Sequence, residues 1–145
     1  MKKKRVLVVL GGTSREREVS LESGKSCILA LKKIGHSVLK FDPKFLSLDK
    51  IKKNNPDIIF NALHGKDGED GKVQSFFEYF RIPYTHSGVL SSMIAMNKHF
   101  SKQLFTKNKV RTPNYFFLNR KDYSNINLYQ KIRKNKLTFP IVMKP

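Results

Sequence analysis

Polar and apolar positions fall into blocks with two different periods. Residues 5–10 run from Arg5 into Val6-Leu7-Val8-Val9-Leu10 without a polar interruption. That is the pattern of a short strand buried on both faces of a sheet. Gly11-Gly12 breaks it. A helix is predicted over residues 19–34, with Val19, Cys27, Ile28, Leu31 and Ile34 on one stripe, and Gly35 stands where a helix-terminating glycine belongs. Residues 38–41 read as a second strand closed by Asp42-Pro43. A short helix around residues 46–53 stops at Asn54-Asn55-Pro56, and residues 57–63 read as a third strand. The glycine-rich stretch 64–71 leads into a helix carrying Val73, Phe76, Phe77 and Phe80. Ile82-Pro83-Tyr84 predicts a short fourth strand, and Ser87-Gly88 opens another helix.

The order β-α-β-α-β-α-β predicts an α/β fold, a parallel sheet with helices on both faces. Ligands of such sheets bind outside the carboxyl ends of the strands. The loops 11–20 and 64–71 both follow strands at that edge. Beyond residue 95 the character changes. Residues 96–107 read as a basic helix, 114–118 as a strand, 121–136 as a very basic helical or loop segment and 139–143 as an apolar strand. A buried-type strand as the last element needs neighbours for its edges. The expected organisation is therefore a domain over 1–95 and the start of a second, truncated one over 96–145.

Composition narrows the class. The hydrophobic fraction of 39% suits a packed core rather than a disordered chain. The single cysteine, Cys27, excludes an internal disulfide framework and is expected to be a buried structural thiol. The apolar run behind the basic N-terminus is shorter than the ~7–15 residues of a signal-peptide core. No stretch approaches the ~20 apolar residues of a membrane span, and a cytoplasmic protein is expected. The net charge of +18 comes mostly from lysines scattered along the chain, not interleaved with aromatics in one patch. No nucleic-acid partner is expected from that distribution, although it suits attraction of an anionic nucleotide.

The two loops hold the candidate chemistry. In Gly11-Gly12-Thr13-Ser14-Arg15-Glu16-Arg17-Glu18-Val19-Ser20, Thr13 and Glu16 have the spacing of a capping box. Equally, Glu16 could hold a cation such as a substrate ammonium group. The dinucleotide fingerprint G-x-G-x-x-G is absent. In His64-Gly65-Lys66-Asp67-Gly68-Glu69-Asp70-Gly71, three glycines suggest backbone near a ligand or in tight turns. His64 is open to three readings: a general base, a donor to a substrate carboxylate, or a plain loop histidine. Glu69 could orient it, and Asp70 could cap the next helix. One histidine among mixed acids lacks a metal-ligand spacing. Lys98 and Lys144 could meet phosphates as point charges.

Together the segments resemble the D-alanine–D-alanine ligase family. The resemblance is carried by Gly11-Gly12-Thr13-Ser14-x-Glu16-x-Glu18-Val19-Ser20-Leu21-x-Ser23-Gly24 and by Ala62-Leu63-His64-Gly65-x-x-Gly68-Glu69-Asp70-Gly71. Pro83-Tyr84-Thr85-x-Ser87-Gly88-Val89, Met96-x-Lys98-x-x-Ser101-Lys102 and Phe139-Pro140-x-Val142-x-Lys144-Pro145 follow in order. It implies a Rossmann-like preface domain followed by the start of an ATP-grasp domain. It also implies an ATP- and Mg²⁺-dependent joining of two D-alanines through an acyl phosphate, for peptidoglycan synthesis. On this resemblance Glu16 and His64 are the catalytic candidates, with Glu16 on the ammonium group of the first D-alanine. Val19, Ser20 and Glu69 belong to that substrate's subsite, and Lys98 and Lys144 to the ATP phosphates. The magnesium ligands and most of the catalytic machinery are expected downstream, so the chain is expected to be inactive alone. A homodimer through the first domain is implied as well. Asn97, Lys66, Asp67 and His86 depart from the family's commoner residues, at peripheral positions.

Overall fold

The computed structural model describes residues 2–121 and 127–144. Part of the expected basic segment 121–136, and Pro145 of the last motif, lie outside the described residues. The chain divides into two compact units, Met1–Met96 and Asn97–Pro145.

The first unit is built on three parallel strands, β1 (Arg5–Val9), β2 (Ser37–Phe41) and β3 (Ile58–Asn61), in the order β2-β1-β3. Leu7 of β1 lies opposite Leu39 on one side and Ile59 on the other. A central strand flanked on both edges and covered on both faces has no polar side to offer, which is why β1 carries an unbroken apolar run. Its side chains alternate between two cores. Val6, Val8 and Leu10 pack with Ala62 and with Leu21, Ile28 and Leu31 of helix α1 (Arg17–Lys33). Leu7 and Val9 face the opposite way, toward Phe41, Ile59 and Leu63. Ile51 of α2 (Lys50–Lys53) and Val73 and Phe77 of α3 (Lys72–Tyr79) complete that second core. Helix α4 (Val89–Met96) closes the unit.

The inward stripe of α1 differs from the one predicted. Ser20 and Gly24 are its buried residues, whereas Val19 is 54% and Ile34 59% exposed. Gly24 is the reason. A Cβ there would lie 2.7 Å from both Cβ and Cδ1 of Leu10, so the helix rests on the strand at its glycine. That contact turns 20, 24, 28 and 31 inward and leaves Val19 and Ile34 outside. Cys27 sits at the border, half-buried instead of buried. Gly35, at φ +90°, ends the helix as expected, its N–H bonded to the Lys32 carbonyl.

The expected fourth strand is reduced to one bridge, between Tyr84 and Ile59. Ile59 N–H donates to the Pro83 carbonyl and Thr85 N–H donates to the Ile59 carbonyl. Pro83 has no N–H to extend the ladder.

In the second unit, α5 (Lys98–Lys107) starts at Asn97, whose side-chain oxygen accepts from the N–H groups of His99 and Phe100. The helix expected over residues 96–107 is α5, which starts at Lys98 because Asn97 caps it, and α4 is the helix expected to open at Ser87-Gly88. Helix α6 (Leu128–Lys134) is capped the same way by Asn127. Residues 114–118 and 139–143 are not strands. Apolar, β-favouring side chains need a pairing partner to become a strand, and the described residues provide none. Phe117 instead stacks on His99, at 4.5 Å between centroids. Phe139, Val142 and Met143 are exposed.

Candidate functional site

Three loops meet at the carboxyl edge of the first unit's sheet, each fixed by backbone groups that the strand ends leave over. After β1, Gly11 and Gly12 turn at φ +85° and +71°, a region open to glycine without strain. Gly11 N–H donates to Ser20 Oγ at 2.8 Å, and that hydroxyl donates to the Ala62 carbonyl at 2.6 Å. Ser20 is wholly buried. It thus ties the first turn of α1 to the ends of β1 and β3.

Asp42, just past β2, holds the other half of the turn. Its carboxylate accepts from the N–H groups of Gly12 and Lys44 and takes a two-pronged contact from Arg17, with Nη2 to Oδ2 at 2.8 Å. Arg17 also donates to the Gly12 carbonyl at 2.7 Å. Burial by itself pushes the Asp42 carboxyl up. The hydrogen bonds from Arg17, Lys44 and Gly12 outweigh burial and hold it below the ordinary value. The same carboxylate raises the pKa of the Arg17 guanidinium.

Glu16 occupies the N-cap of α1 but makes no side-chain cap bond, so the Thr13–Glu16 capping box does not form. Its N–H donates instead to Ser14 Oγ at 3.1 Å, and Ser14 Oγ donates to the His64 carbonyl at 2.7 Å. Ser14 therefore joins the loop after β1 to the loop after β3. The Glu16 carboxylate lies against Gly65, where an added Cβ would come within 2.8 Å of Oε1 at φ +70°. No hydrogen bond or ion pair to that carboxylate is present among the described residues, which leaves it open to a cation.

The histidine loop is braced from within. Gly65 N–H donates to Glu69 Oε2 at 3.0 Å, and the other Glu69 oxygen lies 3.4 Å from His64 Nδ1. The second ring nitrogen, Nε2, is 3.1 Å from Ser23 Oγ on α1. Beneath the loop, the buried amides of Asn61 and Gln74 both donate to the Gly68 carbonyl. Asp70 accepts from Lys72 N–H from just outside α3, whose N-cap is Gly71. Lys72 also pairs with Asp67 at 2.8 Å. A cleft of about 180 Å³ opens among Gly12, Ser14, Pro43, Leu48, Leu63 and Lys72.

Of the residues predicted for the site, Glu16, His64, Glu69 and Ser20 lie together at this edge. Val19 is on the first turn of α1 with its side chain mostly in solvent. The Ser20 side chain is occupied by two structural bonds. Lys98, the first residue of α5, and Lys144, exposed, belong to the second unit. Sequence reasoning gave no role to Ser14, Arg17, Ser23 or Asp42. The signal for Asp42 was its place directly after a strand, which in a parallel sheet is the ligand edge. Ser14 and Ser23 carried no such signal, because their partners come from a loop 41 to 50 residues away. Among the described residues, no group of three or more His, Cys, Asp or Glu side chains could hold a metal ion. No helix among them is long and apolar enough to cross a membrane.

The family model described as D-ala D-ala ligase N-terminus matches residues 43–87. A D-alanine–D-alanine ligase of Pelagibacter ubique is 47% identical over 142 residues, covering 98% of this chain and 46% of that protein. One from Methylobacterium radiotolerans is 45% identical over 144 residues, covering 98% and 44%. A solved D-alanine–D-alanine ligase of Bacillus anthracis, complexed with ATP, superposes with a TM-score of 0.75 at 35% identity, covering 89% of this chain and 44% of that one. The chain spans about half the length of the curated relatives it matches. The three-loop edge, the parallel α/β sheet and these matches place the chain in the D-alanine–D-alanine ligase family, over that family's N-terminal part.

Proposed function

We propose that the protein carrying this chain is an ATP-dependent ligase that joins two D-alanines for peptidoglycan synthesis in the cytoplasm. The observation that carries the reading is the Glu16 carboxylate. Among the described residues it stands without a protein partner at the sheet edge, against Gly65 of the histidine loop, in a chain matching named D-alanine–D-alanine ligases over 98% of its length. A carboxylate in that state suits the ammonium group of an amino acid, through a charge-assisted hydrogen bond. His64, braced by Glu69, lines the same substrate, and Val19 borders it. Ser20 acts indirectly, its hydroxyl holding the Gly11-Gly12 turn in place.

ATP, when bound, supplies the phosphoryl group that activates the first D-alanine's carboxylate. On this reading Lys98 and Lys144 contact its phosphates. The charge of the second unit suits a polyanion, since residues 97–145 carry twelve Lys or Arg and one Asp. The side chains described do not fit Mg²⁺, since no carboxylate cluster is available for it. Its ligands belong to another part of the protein. The chain's own contribution is to orient the first substrate and fix its charge before reaction, the part of catalysis that positioning supplies. A homodimer through the first unit is part of the same proposal.

The test is phosphate release from ATP by the full-length protein. It should depend on D-alanine, yield the dipeptide and fail with L-alanine. ATP turnover indifferent to D-alanine would defeat the reading.

A further inference from the structure

We infer that Ser23 is a positioning residue for His64, and that with Glu69 it fixes the imidazole in the form protonated at Nδ1. Ser23 lies on α1, one turn beyond Val19. Its Oγ is 3.1 Å from His64 Nε2 and 3.3 Å from the Ser20 carbonyl oxygen. On the far side of the ring, Nδ1 is 3.4 Å from Glu69 Oε1, a charge contact looser than a well-formed hydrogen bond. The other Glu69 oxygen is held by Gly65 N–H.

The proton inventory assigns the roles. An ionised carboxylate only accepts, so the ring proton facing Glu69 belongs to Nδ1. In the neutral ring Nε2 is then a bare lone pair, and the group within reach that can donate to it is the Ser23 hydroxyl. A hydroxyl has one proton, so donating to Nε2 means releasing the Ser20 carbonyl. When the ring takes a second proton the polarity reverses. Nε2–H donates to Ser23 Oγ, and the hydroxyl turns back to the Ser20 carbonyl. Ser23 thus serves both states by rotating one O–H bond, with no heavy atom moving.

The arrangement also registers the histidine loop against α1, the helix that starts beside Glu16. Ser14 makes the corresponding tie at the backbone, through the His64 carbonyl. Removing the Ser23 hydroxyl frees the ring while Ser14 still anchors the main chain. The expected damage is therefore to the imidazole's tautomer and aim rather than to the fold.

The kinetic consequence rests on the ligase reading, whereas the tautomer does not. The experiment is long-range ¹H–¹⁵N NMR of the full-length protein labelled at histidine, at alkaline pH, with His64 assigned by its loss in His64→Asn. The wild-type ring should show a protonated Nδ1 and a bare, hydrogen-bonded Nε2. Ser23→Ala should let the Nε2–H form appear and raise KM for the first D-alanine roughly two- to tenfold, with less change in kcat. Ser23→Thr, which keeps the hydroxyl, should restore both. Glu69→Gln should also weaken the Nδ1–H preference, without touching α1. A wild-type ring protonated at Nε2, a Ser23→Ala ring unchanged from wild type, or a Ser23→Thr protein that behaves like Ser23→Ala would each overturn the inference. A wild-type protein without D-alanine-dependent ATP turnover would remove the ligase reading, and the NMR result would still decide the role of Ser23.

Discussion

Glu16 and Asp42 are carboxylates at one sheet edge, and their surroundings give them opposite roles. Asp42 is saturated by Arg17 and two backbone N–H groups, so it is a brace. Glu16 has no such partner among the described residues, so it is available to a ligand. Replacing Glu16 by Gln keeps the shape and removes the charge. On the proposed ligase reading, KM for the first D-alanine should rise about tenfold or more, with kcat less affected, because the charge-assisted bond proposed between Glu16 and its ammonium group would be lost. Steady-state kinetics in the full-length protein check this, and an unchanged KM removes Glu16 from the subsite. Asp42 has a pH signature. Its carboxyl is held below the ordinary value, so the unfolded chain takes up the proton first as pH falls. Its stabilisation is complete above the ordinary Asp pKa of about 4 and is lost as pH drops through the lower, folded value. Urea midpoints of the wild type should fall over that window. Asp42→Asn, less stable at neutral pH, should fall by less. Equal acid sensitivity in both proteins would show that other carboxylates dominate.

The seating of α1 turns on one glycine. In an exposed helix interior, Gly→Ala stabilises by about 1 kcal/mol through propensity. At Gly24 the new Cβ meets Leu10 Cβ at 2.7 Å, in a core whose strand cannot move away. Over-packing of this kind costs about 1–3 kcal/mol. The two effects oppose each other, and over-packing should prevail, leaving Gly24→Ala less stable by about 1 kcal/mol. Denaturant unfolding measures it, and a stabilised variant would mean that α1 can lift off the sheet at little cost. The length and period of α1 were legible in its sequence. Its rotation was not, because rotation was set by where Gly24 meets Leu10, a contact between two elements. The same holds for residues 114–118 and 139–143. Their composition favours strand, but a strand exists only through a partner.

Core residues are divided unequally between the two units. The buried residues of both apolar clusters lie within residues 6–77. Ile132 is the only buried hydrophobic residue of the second unit among the described residues. Residues 1–96 expressed alone should therefore unfold in urea as one cooperative transition, while 97–145 alone should show none. Circular dichroism with a urea titration decides both. A non-cooperative 1–96 segment would mean that the sheet needs more than its own two cores.

Local periodicity and motifs contiguous in the chain were enough to give the alternation of strand and helix in the first unit, the edge where the two glycine-rich loops meet, and the family. They also picked out Glu16, His64 and Glu69 as candidates, because each stands in such a motif. Folding added what lies between elements. It left the Glu16 carboxylate free while binding that of Asp42, and it joined Ser23 and Ser14 to the histidine loop. It also locked Arg17 to Asp42 across 25 residues. Those outcomes depend on distances between separate elements, and no period or local spacing along a chain encodes such a distance.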